Sequence, residues 1–268
     1  MIKAAALLKC NEKNENILSL NNGKEQNILI ETNNGETNEI PDGVLNLAHI
    51  MMVNDSFIKE YLTILRENYK HKKADFCFSL EGKTEDEKKN IYQVFDRMIG
   101  IVRTLYFSED MNTLNGFISL SPKAQGFISG GYMELALYKS VKDIVRDISV
   151  RYNKSYNIYR NMKVYTKDKV IMNEFDIVIE SSDHTVYLLE IKSGRTYKDV
   201  CRQAQIARKY GIIPDHYLLI DNYFSKDDCE VGEFFSDIKI RNLLSFKERV
   251  EEMLIKDIVP DCHIQRVS

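Results

Sequence analysis

Asp176, Glu190 and Lys192 are two carboxylates and an amine set in stretches that are otherwise apolar. Burying a charge is costly unless it is paired or binds a metal. Two neighbouring carboxylates repel each other and are relieved by a cation between them. A hard divalent ion such as Mg²⁺ meets that need with oxygen ligands, and an ion held this way acidifies water and polarises an ester for hydrolysis. A Glu-x-Lys pair on a strand edge is also an ordinary ion pair of small energetic value, so the reading depends on the elements that carry it.

Those elements are legible. Asn173-Glu-Phe-Asp-Ile-Val-Ile-Glu180 and Thr185-Val-Tyr-Leu-Leu-Glu-Ile-Lys-Ser-Gly194 flank the polar turn Ser181–His184 and predict a β-hairpin. Side chains alternate along a strand, so Glu190 and Lys192 share one face while Leu189 and Ile191 take the other, and Asp176 lies in the partner strand. Upstream, Gly130-Gly131 precede a helical stripe of Leu137, Val141, Ile144, Val145 and Ile148. Glu134 heads that stripe, a carboxylate at a helix start that is a candidate further ligand for metal or water, or simple charge compensation of the helix. Downstream, Tyr197 to Tyr210 predicts a helix with Val200, Gln203, Ala204, Ala207 and Tyr210 on one side, ended by Gly211. Pro214 to Ile220 predicts a further strand. Lys192, Arg195, Lys198, Arg202, Arg208 and Lys209 make this segment basic, which suits a phosphate backbone; a solvated face is the plainer explanation of any charge run.

The order of Glu134, Asp176 and Glu190-Ile-Lys192 along helix, hairpin, helix and strand resembles the PD-(D/E)XK nuclease superfamily. Phe127-Ile-Ser-Gly-Gly-Tyr-Met-Glu-Leu-Ala-Leu-Tyr138, Asn173-Glu-Phe-Asp-Ile177 and Leu188-Leu-Glu-Ile-Lys-Ser193 are similar to the nuclease domain of CRISPR-associated effectors that join a CARF sensor to this nuclease and respond to cyclic oligoadenylate. The resemblance covers roughly residues 127 to 220, with Tyr132 where the family has Trp and Ile191 where it often has Cys. It implies an α/β fold, a restriction-endonuclease-like mixed sheet flanked by helices, with a smaller N-terminal α+β module. It implies Asp176, Glu190, the Ile191 carbonyl and Glu134 as ligands of Mg²⁺ or Mn²⁺, with Lys192 orienting the nucleophile. Gln203 or Gln205 matches a glutamine that some branches place near the metal, and with Arg195 and Lys198 they are the expected substrate contacts. The implied function is a metal-dependent endonuclease acting on DNA or RNA in antiviral defence, as a homodimer, with an activating cyclic oligonucleotide. The alternative is a catalytically silent nuclease-fold protein that binds nucleic acid or regulates.

The rest of the chain bounds these readings. Its 268 residues are 44% hydrophobic and 29% charged with a formal net charge of −3, so the basic segment is local. No stretch reaches membrane-spanning length and no signal peptide is apparent, and five scattered cysteines argue for reduced thiols; the expectation is a cytoplasmic protein. Asn-Gly turns before residue 40 predict short strands in a small meander. Helices are expected at Val44–Val53 and Phe57–Tyr69, the latter capped by Asp55 or Ser56, and a strand at Ala74–Leu80. A capping box, Thr84 to Glu87, opens a helix predicted to carry Ile91, Val94, Phe95, Met98, Val102 and Leu105. This half lacks the Gly- or Ser-rich ligand loop of a Rossmann-like sensor. The expected division is an N-terminal module at 1–125, a nuclease core at 126–222 and a tail at 223–268, whose last helix runs from Ser245 through Ile255 and packs on the core or a partner subunit.

Overall fold

The computed structural model describes residues 40–165, 171–192 and 197–258, together with the backbone of strands at 7–10, 16–19 and 29–31. The chain divides into two compact units, Glu39–Lys139 and a larger one formed by Met1–Asn38 with Ser140–Ser268. The first three strands join the sheet of the C-terminal part rather than the segment that follows them. Among the described residues no helix is long and apolar enough to cross a membrane.

Strands β1 (Leu7–Cys10), β2 (Asn16–Ser19) and β3 (Leu29–Glu31) form the expected antiparallel meander. Within the smaller unit, α1 (Asp42–Val53) and α2 (Asp55–Lys70) precede β4 (Asp75–Ser79), and α3 (Glu85–Asp96) precedes β5 (Val102–Phe107) and β6 (Thr113–Ile118). The sheet order is β4-β6-β5, antiparallel throughout. Its core is aromatic: the Phe78 ring lies 4.9 Å from Tyr61 and 5.0 Å from Phe95. Thr84 and Glu87 form the capping box that opens α3.

Two local expectations are corrected here. The helix from Thr84 stops at Asp96, and Val102 and Leu105 belong to β5; between them Gly100, at φ 85°, takes a left-handed turn. Helix α2 is preceded by Asn54, whose side chain donates back to Ile50 O and does not cap. Asp55 is instead buried and accepts the Tyr132 hydroxyl at 2.5 Å. Ser121 caps α4 (Pro122–Gly126), a π turn covers Phe127–Gly131, and α5 (Tyr132–Tyr152) follows. The tight path before α5 rests on Gly130, at φ 157° and ψ −23°, a conformation open to glycine.

The larger unit is built on β7 (Tyr156–Tyr165), β8 (Ile171–Ser181), β9 (Val186–Lys192), α6 (Tyr197–Lys209), β10 (Tyr217–Asp221), α7 (Lys226–Ser236), β11 (Lys239–Arg241) and α8 (Phe246–Ile258). The strand order is β1-β2-β3-β7-β8-β9-β10-β11. Pairing is antiparallel up to β9 and parallel from β9 to β11. The fold is therefore α/β on a mixed sheet. Parallel neighbours need a crossover, which α6 and α7 supply. Val200, Ala204, Ala207 and Tyr210 of α6 pack with Phe175, Val178, Leu188, Tyr217 and Leu219 of the strands, the stripe expected from spacing. Gly211, at φ 66°, ends α6, with Ile212 N–H returning to Ala207 O. Residues 223–241 are part of the sheet architecture rather than a loose tail, since β11 pairs with β10. Helix α8 is tied to the strands by Asp257, which accepts from Tyr187 Oη at 2.6 Å and lies 2.8 Å from His216 Nε2.

Candidate active site

Asp176 stands where the β8–β9 hairpin opens into a fork. The ladder runs from Glu180↔Val186 to Ile177↔Leu189 and stops. The next inward N–H of β9, that of Ile191, donates to Asp176 Oδ2 at 2.7 Å instead of to a β8 carbonyl. On its other side β8 follows β7 from Arg160↔Ile177 to Met162↔Phe175, and between them Asn161 adopts φ 50°. The strands are thus irregular at the residue pair that includes Asp176. Strand β9 carries on beside β10, with Leu219↔Glu190 and Asp221↔Lys192. Into the opening between β8 and β9 fits a cavity of about 290 Å³. Ile171, Met172, Asn173 and Glu174 line one side, Glu190 and Lys192 the other, and Arg202, Gln203 and Ile206 of α6 complete it.

The side-chain donors of Glu190 all meet one oxygen, and the Asp176 backbone N–H also favours its ionised form. Its Oε1 accepts from Lys192 Nζ at 2.7 Å and from Gln203 Nε2 at 3.1 Å. Gln203 Oε1 in turn accepts the Tyr217 hydroxyl at 2.7 Å. Glu190 Oε2 is buried and has no hydrogen-bond partner. A buried carboxylate oxygen left unmatched is expensive, and here it belongs to a side chain only 8% exposed.

The charges show the same tension. Burial, then the charge of Asp176, push the Glu190 carboxyl up to about 7, against the pull of Lys192. Burial also raises Asp176, with Glu174 adding to it and Lys192 and the Ile191 N–H opposing it. For Lys192, burial disfavours the ammonium, but Glu190, Asp176 and Asp199 outweigh it and hold the group above its ordinary value. The ammonium stays charged, and the two carboxylates titrate as a pair that keeps a proton into the neutral range.

This donor set fits a hard divalent cation. Two carboxylates destabilised by burial and by each other, one with an open buried oxygen, gain from a cation in place of the retained proton. Among the described residues no group of three or more His, Cys, Asp or Glu side chains gathers at metal-holding distance. Glu134 lies in the smaller unit, in the first turn of α5.

The structure brings together Asp176, Glu190, Ile191, Lys192 and Gln203. Gln205 is exposed on the outer face of α6, whereas Gln203 is 2% exposed and bonded to Glu190 and Tyr217 rather than turned to the cavity mouth. Arg195, and the side chain of Lys198, lie outside the described residues. Three polar lining residues were not singled out from the sequence as site residues: Asn173, Glu174 and Arg202. Tyr217 was missed too. Its signal was a hydroxyl-bearing residue opening an apolar strand, two positions before Leu219 and so on the face that meets α6.

No protein-family model matches the chain, and no curated protein matches it. Among solved structures, it is similar to protein VC1899 from Vibrio cholerae, with a TM-score of 0.54 at 14% identity over 86% of this chain and 58% of that one. It is also similar to Can2 from Sulfobacillus thermosulfidooxidans in complex with cyclic tetra-adenylate, with a TM-score of 0.50 at 15% identity over 85% of this chain and 56% of that one. The chain spans a little over half the length of either. At such identities the likeness is one of fold.

Proposed function

We propose that this chain is a metal-dependent nuclease that hydrolyses phosphodiester bonds in the fork between β8 and β9. The observation that carries the reading is the buried Glu190 Oε2 without a hydrogen-bond partner, on a carboxylate raised by the charge of Asp176, with Lys192 fixed on the other oxygen and a cavity lined by Glu190 and Lys192. Asp176 and Glu190 would hold Mg²⁺ or Mn²⁺, with the Ile191 carbonyl and Glu134 as further proposed ligands. Bound there, the ion would supply Lewis acidity toward a phosphate oxygen and acidify the attacking water. Lys192 is held in place by Glu190, so its ammonium is preorganised to stabilise negative charge growing on the phosphate. Arg202 on the cavity wall provides a second cation, suited to gripping a phosphate oxygen. Asn173 can donate to a sugar or phosphate oxygen, and Glu174 repels a phosphate placed too far along β8.

Two further proposals follow from the resemblance to CRISPR-associated effectors and from Can2, whose structure holds a cyclic oligoadenylate. One is a role in antiviral defence, and the other is control by a cyclic oligonucleotide in a homodimer. The test is a cleavage assay on supercoiled plasmid, single-stranded DNA and single-stranded RNA with Mn²⁺, with and without cyclic tetra-adenylate. Cleavage that needs Mn²⁺ and is lost in Glu190→Ala supports the reading. Tight nucleic-acid binding without cleavage under every condition favours a silent, binding-only protein.

A further inference from the structure

We propose that Tyr217 is a positioning residue, acting through Gln203 to hold Glu190 with its second carboxylate oxygen free of side-chain donors. The proposal rests on the nuclease reading of the site and adds a member to it. Tyr217 opens β10, is fully buried, and donates its hydroxyl to Gln203 Oε1 at 2.7 Å. Gln203 is 2% exposed, on the same helix as Val200, Ala204 and Ala207 of the apolar core.

The chemistry of the amide makes this contact directional. A glutamine side chain offers a carbonyl at one end and an NH₂ at the other, and an ionised carboxylate only accepts. The end that meets Glu190 therefore decides between attraction and repulsion. Tyr217 must donate its proton somewhere in an apolar core, and by donating to Oε1 it sends Nε2 toward Glu190. Turning the amide over would set Oε1 against the Glu190 carboxylate and leave Tyr217 to accept from Nε2, with no acceptor for its own proton.

The consequence lies at Glu190. Gln203 and Lys192 both donate to Oε1, so neither reaches Oε2. Without the Tyr217 hydroxyl nothing anchors Oε1, and the amide can swing while Nε2 still donates to Glu190. The carboxylate can then rotate to give each donor its own oxygen, which closes the position a cation would use. The relay Tyr217–Gln203–Glu190 thus keeps a ligand oxygen unoccupied by protein donors, as supporting groups around metal ligands do generally.

The experiment compares wild type with Tyr217→Phe, and with Tyr210→Phe as control, because the Tyr210 hydroxyl is buried nearby with no hydrogen-bond partner. Mn²⁺ affinity measured by calorimetry should fall about 10- to 100-fold in Tyr217→Phe and stay unchanged in Tyr210→Phe. Cleavage by Tyr217→Phe should recover at saturating Mn²⁺, a readout that mere loss of packing would not give. Gln203→Leu cuts the same link from its other end and should show the same loss, which covers the case of a Tyr217→Phe chain that does not fold. Equal Mn²⁺ affinity in wild type and Tyr217→Phe overturns the relay and leaves the nuclease reading standing. If wild type binds no Mn²⁺, the nuclease reading falls, and a double-mutant cycle of Tyr217→Phe with Glu190→Gln, read by denaturant unfolding in EDTA, decides the relay. Non-additivity of roughly 2- to 100-fold in the unfolding constant upholds it, and additivity overturns it.

Discussion

Replacing Glu190 by glutamine should make the metal-free protein more stable, and only above acidic pH. The Glu190 carboxyl is raised from 4.5 to about 7 by burial and by Asp176. The folded state therefore binds this proton more tightly than the unfolded chain does. Below pH 4.5 the group is protonated in both states and contributes nothing. Between 4.5 and about 7 the stability of wild type declines as pH rises, and above 7 the full cost of the charged form is present. At about 1.4 kcal/mol per pH unit, that interval sets a ceiling of about 3 kcal/mol. Asp176 shares the retained proton, so a gain of about 1–3 kcal/mol is expected at pH 8. Glutamine mimics the protonated acid, keeps an oxygen near Lys192 and does not titrate. The assay is urea unfolding in EDTA across pH 4 to 8 for both proteins, in which the titration of groups remote from Glu190 cancels. The difference should be near zero at the acid end, grow through the middle and level off. Glu190→Gln equal to or less stable than wild type at pH 8 would refute the view of Glu190 as an electrostatically unsatisfied ligand. Added Mn²⁺ should reverse the ranking, because a ligand of the folded state stabilises only the protein that binds it.

Other expectations are simpler. Lys192→Ala should lower kcat by about 10²–10³-fold while leaving the fold intact, since one preorganised charge at a reacting centre is worth about that much; unaltered cleavage kinetics would remove Lys192 from the mechanism. Thr84→Ala deletes the side chain that accepts from Glu87 N–H at the start of α3, and should cost about 1 kcal/mol in thermal or denaturant unfolding. Gly116→Ala places a Cβ 2.2 Å from the Thr104 carbonyl oxygen and 2.5 Å from the Phe76 ring. It should destabilise the smaller unit by about 1–3 kcal/mol or more, visible as a lower unfolding midpoint. Glu134→Gln should weaken Mn²⁺ binding in calorimetry if Glu134 joins the ligand set, and should leave it unchanged if it serves only the start of α5.

The local parts of the site were legible because they are set by short-range periodicity. Alternation along β9 puts Glu190 and Lys192 on one face, and the ion pair at 2.7 Å follows. The stripe on α6 and the glycine that ends it were readable for the same reason. The long helix expected from Thr84 was not, because Met98, Val102 and Leu105 continue a helical spacing although α3 ends at Asp96 and Gly100 turns the chain before β5. Strand β6, with Gly116 in its middle, carries too weak a pattern to stand out. The sheet order was beyond the sequence: β3 pairs with β7 across more than a hundred residues, and β11 finds β10 across α7. The same limit applies to Gln203. Spacing offered Gln203 and Gln205 equally, and the choice between them comes from a contact across elements, Gln203 to Glu190 of β9 and Tyr217 of β10. The fork itself arises from β8 leaving β9 at Asp176, a departure that no hydrophobic pattern records.

The claim that Asp176 and Glu190 hold a divalent cation is met most directly by anomalous diffraction from a crystal soaked in Mn²⁺. A peak in contact with Asp176 and with Oε2 of Glu190, absent in a Glu190→Gln crystal, is the predicted result. Full-strength diffraction with no peak at the fork, or with Mn²⁺ bound only elsewhere, would contradict it.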